Sequence, residues 1–290
     1  MTDRIDSVPG WDLHCHSAYS DGTESPEGLI LEAKRQGLLG VGIADHDTWV
    51  GWDEAVAAAR ANHVPLIRGT EITADVNGTC VHMLGLLYDP TDKVLCDLFD
   101  TTRKNRVRRM KKMVENLSAD FPITWDDVVA QAKEGERTTI GRPHIADALV
   151  ALGFFDNRSE VFAKTINKNG PYYVPIVSPT AKSVVEAVKH AGGVSVIAHP
   201  GGVNRNRHVL TDEEIVELAD AGLDGLEVHH RDNPPEQQRR LAGLAKDLHL
   251  LVTGGSDWHG TGKPNIMGEN TTDDATVQEI IHRGAIPVAE

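Results

Sequence analysis

Histidines and acids set two positions apart carry the chemistry of this chain. The run Trp11-Asp12-Leu13-His14-Cys15-His16 ends in polar turn residues, with Asp21 just beyond it. On a β-strand the period of two turns His14 and His16 to one face and Cys15 to the other, so two imidazoles converge on one point in a metal-binding geometry. The same spacing returns in Asp257-Trp258-His259. Between the two pairs, His46 stands in Asp45-His46-Asp47, Glu71 in Gly69-Thr70-Glu71, His82 in an apolar run, and His199 in Ala198-His199-Pro200-Gly201-Gly202. One His-x-His pair alone also fits two hydrogen-bonded residues at a strand end. The joint set of six histidines and three carboxylates exceeds what one metal needs, and mixed imidazole and carboxylate donors suit Mn, Fe or Zn better than Ca. A multinuclear site is expected.

Such a site needs a scaffold that brings distant segments together. Apolar runs at 11–16, 39–44, 64–68, 81–87, 194–198, 224–228 and 250–253 predict seven strands with helical patterns between most of them. Ser25-Pro26-Glu27 reads as an N-cap, a proline at the first helical position and an acid in the first turn, and Gly37 ends that helix. Further helices are expected at 51–62, ending at 187–191, and at 212–221, 235–247 and 275–283. Strands alternating with helices imply a parallel sheet, and closure into a barrel protects its edges. The expected fold is therefore α/β, with the barrel built from 1–92 and 179–290.

Across 93–178 the rhythm breaks into helices at 103–117, 125–133, 143–152 and 159–166, an inserted helical subdomain. Its first helix carries Arg103, Lys104, Arg106, Arg108, Arg109, Lys111 and Lys112, a basic face that is either solvated or turned to phosphate. Nearly all the candidate ligands fall at carboxyl ends of strands, where barrel enzymes build active sites. His82, at the start of its strand, is the exception.

Composition narrows the function. A formal net charge of −14 argues against a general nucleic-acid or membrane-surface binder, since phosphate contacts demand a basic face, and stable duplex binding is not expected. Cys15, Cys80 and Cys96 contain no Cys-x-x-Cys pair, against a disulfide framework or a zinc ribbon. No apolar run is long enough to span a bilayer, and residues 1–10 are polar and acidic rather than a signal sequence, so a cytoplasmic location is expected.

Taken together, His14-x-His16, Asp21, Asp45-His46-Asp47, Glu71, His82, Ala198-His199-Pro200 and Asp257-x-His259 resemble the PHP (polymerase and histidinol phosphatase) family of metal-dependent phosphoesterases over essentially the whole chain. The insertion, with Gly141-Arg142-Pro143-His144, looks like the TrpH-like branch, whose members remove the 3′-phosphate from 3′,5′-bisphosphonucleosides and trim short RNA from its 5′ end. The resemblance implies a distorted (β/α)7 barrel and two to three divalent ions, manganese first, with iron, zinc or magnesium as alternatives. Carried over by motif, one metal takes His14, His16, Glu71 and Asp257. A second takes Glu71, His82 and His199, and a third takes Asp21, His46 and His259. Some relatives place a histidine where this chain has Asp21, which makes the third site harder.

Adjacent metals held this way acidify water and offset phosphoryl charge, so hydrolysis of a phosphate ester is expected, with Glu71 and Asp257 in catalytic positions. Arginine and histidine outside the metal shell would hold phosphate oxygens, because a guanidinium fork matches them bidentately. Arg142 and His144 are the first candidates; Arg106 and Arg109, and His230 at the end of the sixth strand, are the others. The expected substrate is a bisphosphonucleoside or a short oligonucleotide. Three other readings are a histidinol-phosphate-type or other small-molecule phosphatase, an amidohydrolase, which also begins with His-x-His, and a PHP module that only binds.

Overall fold

The computed structural model describes residues 10–202 and 209–290. Arg205, Arg207 and His208, a loop that the sequence leaves open between solvent and substrate, lie outside the described residues. Seven strands, β1 (Trp11–Cys15), β2 (Gly40–Ile43), β3 (Leu66–Val76), β4 (Thr79–Leu86), β5 (Val194–Ala198), β6 (Gly225–His229) and β7 (Leu251–Gly254), form one sheet whose spatial order is their chain order. The sheet curls into a nearly closed barrel. Beyond β7, Trp258 donates its N–H to the His14 carbonyl at 3.3 Å and accepts from the His16 N–H at 2.8 Å, which laces the two edges together.

Local signals set most elements. The helix α1 (Pro26–Gln36) starts where the Ser25 hydroxyl accepts the Gly28 N–H at 3.1 Å and ends at Gly37, whose φ of 73° is a left-handed conformation open to glycine. After it come α2 (Trp52–Asn62), then, between β4 and β5, α3 (Lys93–Leu117), α4 (Trp125–Val129), α5 (Arg142–Ala151), α6 (Arg158–Val161) and α7 (Ala181–His190), and after β5, α8 (Asp212–Ala221), α9 (Pro235–Asp247) and α10 (Asp274–Arg283). The α3 helix begins well before residue 103 because Asp92 caps it, accepting the Leu95 N–H at 2.9 Å. Its first turns, with Leu95 and Phe99, pack into the barrel's apolar core. Its later turns, with Met110, Met113 and Leu117, join Ile145, Leu149 and Val161 in a separate core.

The expectation of an all-parallel sheet fails at β4. Asn77 and Gly78, with φ of 50° and 84°, make a tight hairpin between β3 and β4, the pair of positive φ values that a two-residue hairpin turn requires. Strand β4 therefore runs antiparallel to both β3 and β5, with His82 opposite Thr73 on one side and Ala198 on the other. The start of β4 lies at the same end of the barrel as the carboxyl ends of its neighbours. His82 is no exception to the rule that places the ligands on one face. Among the described residues, no helix is long and apolar enough to cross a membrane.

Candidate metal centre

The candidate ligands reach one end of the barrel from six of its strands or the loops that follow them. His14 lies in β1 and His16 directly after it, Asp21 in the following loop, His46 after β2, Glu71 in β3, His82 in β4, His199 after β5, and Asp257 and His259 after β7. Three donor groups result: His14, His16, Glu71 and Asp257; His46, Glu71 and His82; and His16, Asp21, His46 and His259. Within each group the ligand atoms lie within 4.8 Å of one another. The first is the set expected from the resemblance. In the second, His46 joins Glu71 and His82, while His199 stands beside them with Nε2 3.1 Å from Glu71 Oε1. In the third, His16 is added to Asp21, His46 and His259.

The atoms that would face a cation do not satisfy one another. His14 Nε2, His16 Nε2, His46 Nδ1, His82 Nδ1, His259 Nε2, Asp21 Oδ1 and Glu71 Oε2 are buried and make no hydrogen bond of good geometry. Stranded buried polar atoms cost free energy, and a set whose lone pairs aim at shared points is what bound divalent ions would satisfy. The far side of the rings supports the same reading. His14 Nδ1 is 2.9 Å from Glu227 Oε1 and His259 Nδ1 is 2.8 Å from the Asp257 carbonyl, which turns Nε2 inward in both. Glu227 also accepts the His199 backbone N–H at 2.8 Å, so one buried carboxylate orients two ligand positions.

Electrostatics favour cation binding. Burial opposes charge on Glu71, yet His82, His46 and His14 around it hold its carboxyl well below the usual range, and His259 and His46 do the same for Asp21. Burial pushes His46 well down, and burial together with His16 and Lys263 takes His259 to about 4, leaving both rings neutral with lone pairs to donate. His82 goes the other way: burial is outweighed by Glu71 and Cys80, which hold it up at about 9.

Beside the clusters opens a cavity of about 550 Å³, lined by Asp21, His46, His82 and His199 on the barrel side and by Arg106, Arg109, Arg142, Phe162, Lys168 and Tyr173 on the side of the β4–β5 helices. Arg142 lies over the rings of Phe162 and Tyr173 at 5.4 and 5.7 Å, and Arg109 over Tyr173 at 5.1 Å. Arg142 donates to the Ile166 carbonyl at 3.3 Å and Arg109 to the Val174 carbonyl at 2.6 Å. Among the described residues no carboxylate pairs with either guanidinium, and burial and mutual repulsion bring Arg109 down to about 10. Two cations held close give this wall of the cavity a positive charge.

The other expected substrate contacts are placed differently. Arg106 lines the cavity but is buried against Asp47, with Nε and Nη2 at 2.8 and 2.7 Å from Oδ2. His144 does not line the cavity; its Nδ1 accepts the Gly141 N–H at 3.0 Å and caps α5. His230 is buried beside the clusters, its ring 5.2 Å from that of His199 and 6.3 Å from that of His14, with its Nδ1 accepting the Asp232 N–H at 3.0 Å. Two groups escaped the sequence reading. Glu227 had a signal, a lone acid inside the apolar strand β6. Lys263, whose Nζ is 2.9 Å from Asp257 Oδ2, had none, because it stands outside any motif.

A seven-stranded barrel that gathers histidines and carboxylates at one end, beside a cavity lined with arginines, defines a metal-dependent phosphoester hydrolase. The PHP domain signature matches residues 12–152. The chain is 33% identical over 250 residues to the 5′-3′ exoribonuclease of Haemophilus influenzae, covering 86% of this chain and 89% of that one. It is 31% identical over 260 residues to the 3′,5′-nucleoside bisphosphate phosphatase of Chromobacterium violaceum, covering 87% and 88%. A crystal structure from Bifidobacterium adolescentis, assigned as a metal-dependent phosphoesterase, superposes with a TM-score of 0.95 at 57% identity over 96% of this chain and 98% of that one. This chain belongs to the PHP domain family.

Proposed function

We propose that the chain hydrolyses the 3′-phosphate of 3′,5′-bisphosphonucleosides, giving nucleoside 5′-monophosphates, and that the same site trims short RNA from its 5′ end. The observation that carries this reading is the Arg109–Arg142 pair, held among the described residues without carboxylate partners in the cavity that His46 and His82 of the second donor group and Asp21 of the third also line. A substrate with two phosphates fits one on each side. The names of the two relatives above, an exoribonuclease and a bisphosphate phosphatase, support the same class of substrate.

The residues expected to hold divalent ions, manganese first, are His14, His16, Glu71 and Asp257; Glu71, His82, His199 and His46; and Asp21, His46, His259 and His16. Bound ions supply Lewis-acid charge to phosphoryl oxygens and acidify water. The protein's own groups do the rest. Glu227 orients His14 and the His199 backbone, and Lys263 places an ammonium against Asp257 at the cavity edge. Arg142 and Arg109 hold the second phosphate and so line up the ester to be cut, using remote binding energy for positioning. Water attacks phosphorus, the P–O ester bond breaks, and the nucleoside oxygen leaves with a proton. The test is phosphate release with product identification on 3′,5′-bisphosphoadenosine, adenosine 3′-monophosphate, 5′-phosphorylated oligoribonucleotides and histidinol phosphate. The reading expects the bisphosphate and the oligonucleotide to be cleaved far better than either monophosphate, and equal rates on all four would overturn it.

A further inference from the structure

The third donor group is held differently from the first. His14 and Glu71 take their polar partners from the strands and loops of the barrel: Glu227 for His14, and the Ala44 and Asp45 carbonyls for the Glu71 N–H. Asp21 stands in the loop of residues 17–24 after β1, and that loop is gripped from outside. Four of its carbonyls accept hydrogen bonds from the helical segment between β4 and β5. The Thr138 hydroxyl donates to Ala18 at 3.3 Å, the Thr139 N–H to Tyr19 at 2.9 Å, Arg158 Nη1 to Asp21 at 3.2 Å, and Lys133 Nζ to Thr23.

Arg158 reaches Asp21 from a fixed position. Its Nε and Nη2 make a two-point pair with Asp147 on α5, at 2.5 Å each, which leaves Nη1 for the Asp21 carbonyl. The grip extends to the loop that carries His259. The Thr23 N–H donates to the His259 carbonyl at 3.1 Å, and the Thr23 hydroxyl accepts the Thr261 N–H at 2.8 Å. Arg158 packs against Gly262, where a Cβ would sit 2.4 Å from Nη1 and displace the guanidinium. The other side of the group is held from the same segment: His46 is followed by Asp47, which Arg106 of α3 anchors. Asp21 Oδ1 ends 3.0 Å from His259 Nε2, and Oδ2 ends 3.8 Å from His46 Nε2.

The geometry points to the β4–β5 helical segment as the element that assembles the third cation site, with Arg158, oriented by Asp147, as a positioning residue for Asp21. This rests on the reading of the three donor groups as metal sites. In that arrangement the barrel alone builds the first group, and the third exists only while the helical segment is docked. The same segment carries Arg109 and Arg142, so its seating by a substrate phosphate and the filling of the third site are coupled, and each favours the other.

The test is metal binding by the full chain, stripped with a chelator and dialysed against stepped concentrations of manganese chloride, with bound manganese counted by elemental analysis. Arg158→Met is expected to weaken one ion by about tenfold or more, the scale on which residues behind a ligand act, while the others stay within about threefold. The ion lost should be the one lost in Asp21→Asn. Lys133→Met, which leaves the Arg158–Asp147 pair intact, should shift the same ion in the same direction and serves if Arg158→Met does not fold. Binding of every ion as in the wild type, or equal weakening of all, overturns the proposal. A wild-type chain that takes up no third ion overturns it together with the three-site reading, and that outcome shows in the wild type itself.

Discussion

Arg142→Ala separates positioning of the substrate from the cutting of its ester. The Arg142 guanidinium is held by two aromatic rings and one carbonyl, and among the described residues no carboxylate pairs with it, so its removal is expected to leave the fold intact. What is lost is a charge-assisted contact to a phosphate in a confined cavity, about 2 to 4 kcal/mol of transition-state stabilisation. That corresponds to roughly 30- to 900-fold in kcat/KM for the 3′,5′-bisphosphate. The 3′-monophosphate has nothing for Arg142 to hold, so its kcat/KM should change by no more than about threefold. Steady-state phosphate release on both substrates, with circular dichroism to check folding, gives the comparison. If the variant loses the same factor on both substrates, Arg142 acts at the reacting phosphate; if it loses nothing on either, the arginine pair is not the second phosphate site. Either result refutes the reasoning.

Three further outcomes follow from the site. Glu71→Gln keeps the size of a side chain shared by two donor groups but removes its charge, so turnover should drop at least a thousandfold, roughly 4 kcal/mol, while the protein stays folded; retained turnover in a metal-loaded variant removes Glu71 from the centre. Chelation should lower the melting temperature, because each ion present at a hundred times its Kd contributes about 2.7 kcal/mol, and calorimetry showing no shift on stripping would argue against tight sites. Manganese binding should release protons at neutral pH. Burial opposes the charge on His82, but Glu71 and Cys80 hold its pKa at about 9, so below that pH a proton must leave before Nδ1 holds a cation and affinity rises as pH climbs towards 9. Titration heats that are the same in buffers of different ionisation enthalpy would contradict this.

What the sequence determined by itself is local. The ligand types and their two-residue spacing follow from the strand period. Ser25, Pro26 and Gly37 placed α1, because caps act over three or four residues. The seven strands were legible as apolar runs, and eight of nine candidate ligands, all but His82, could be put on the barrel's active face from chain order alone once strand ends were known. Tertiary structure decided what depends on residues far apart. The direction of β4, and with it the place of His82, follows from the Asn77-Gly78 turn and from pairing with β5, over a hundred positions further along the chain. Glu227 becomes the orienting partner of His14 only when β6 closes on the barrel across 213 positions. Arg106, alike in sequence to Arg109, is taken by Asp47 while Arg109 pairs with no carboxylate among the described residues, because one turn further along the same face of α3 it lies beyond Asp47 and beside Val174 and Tyr173. Spacing along a strand or helix reports which side chains share a face; which faces meet is set by packing that removes apolar surface from water, and that is a property of the whole chain.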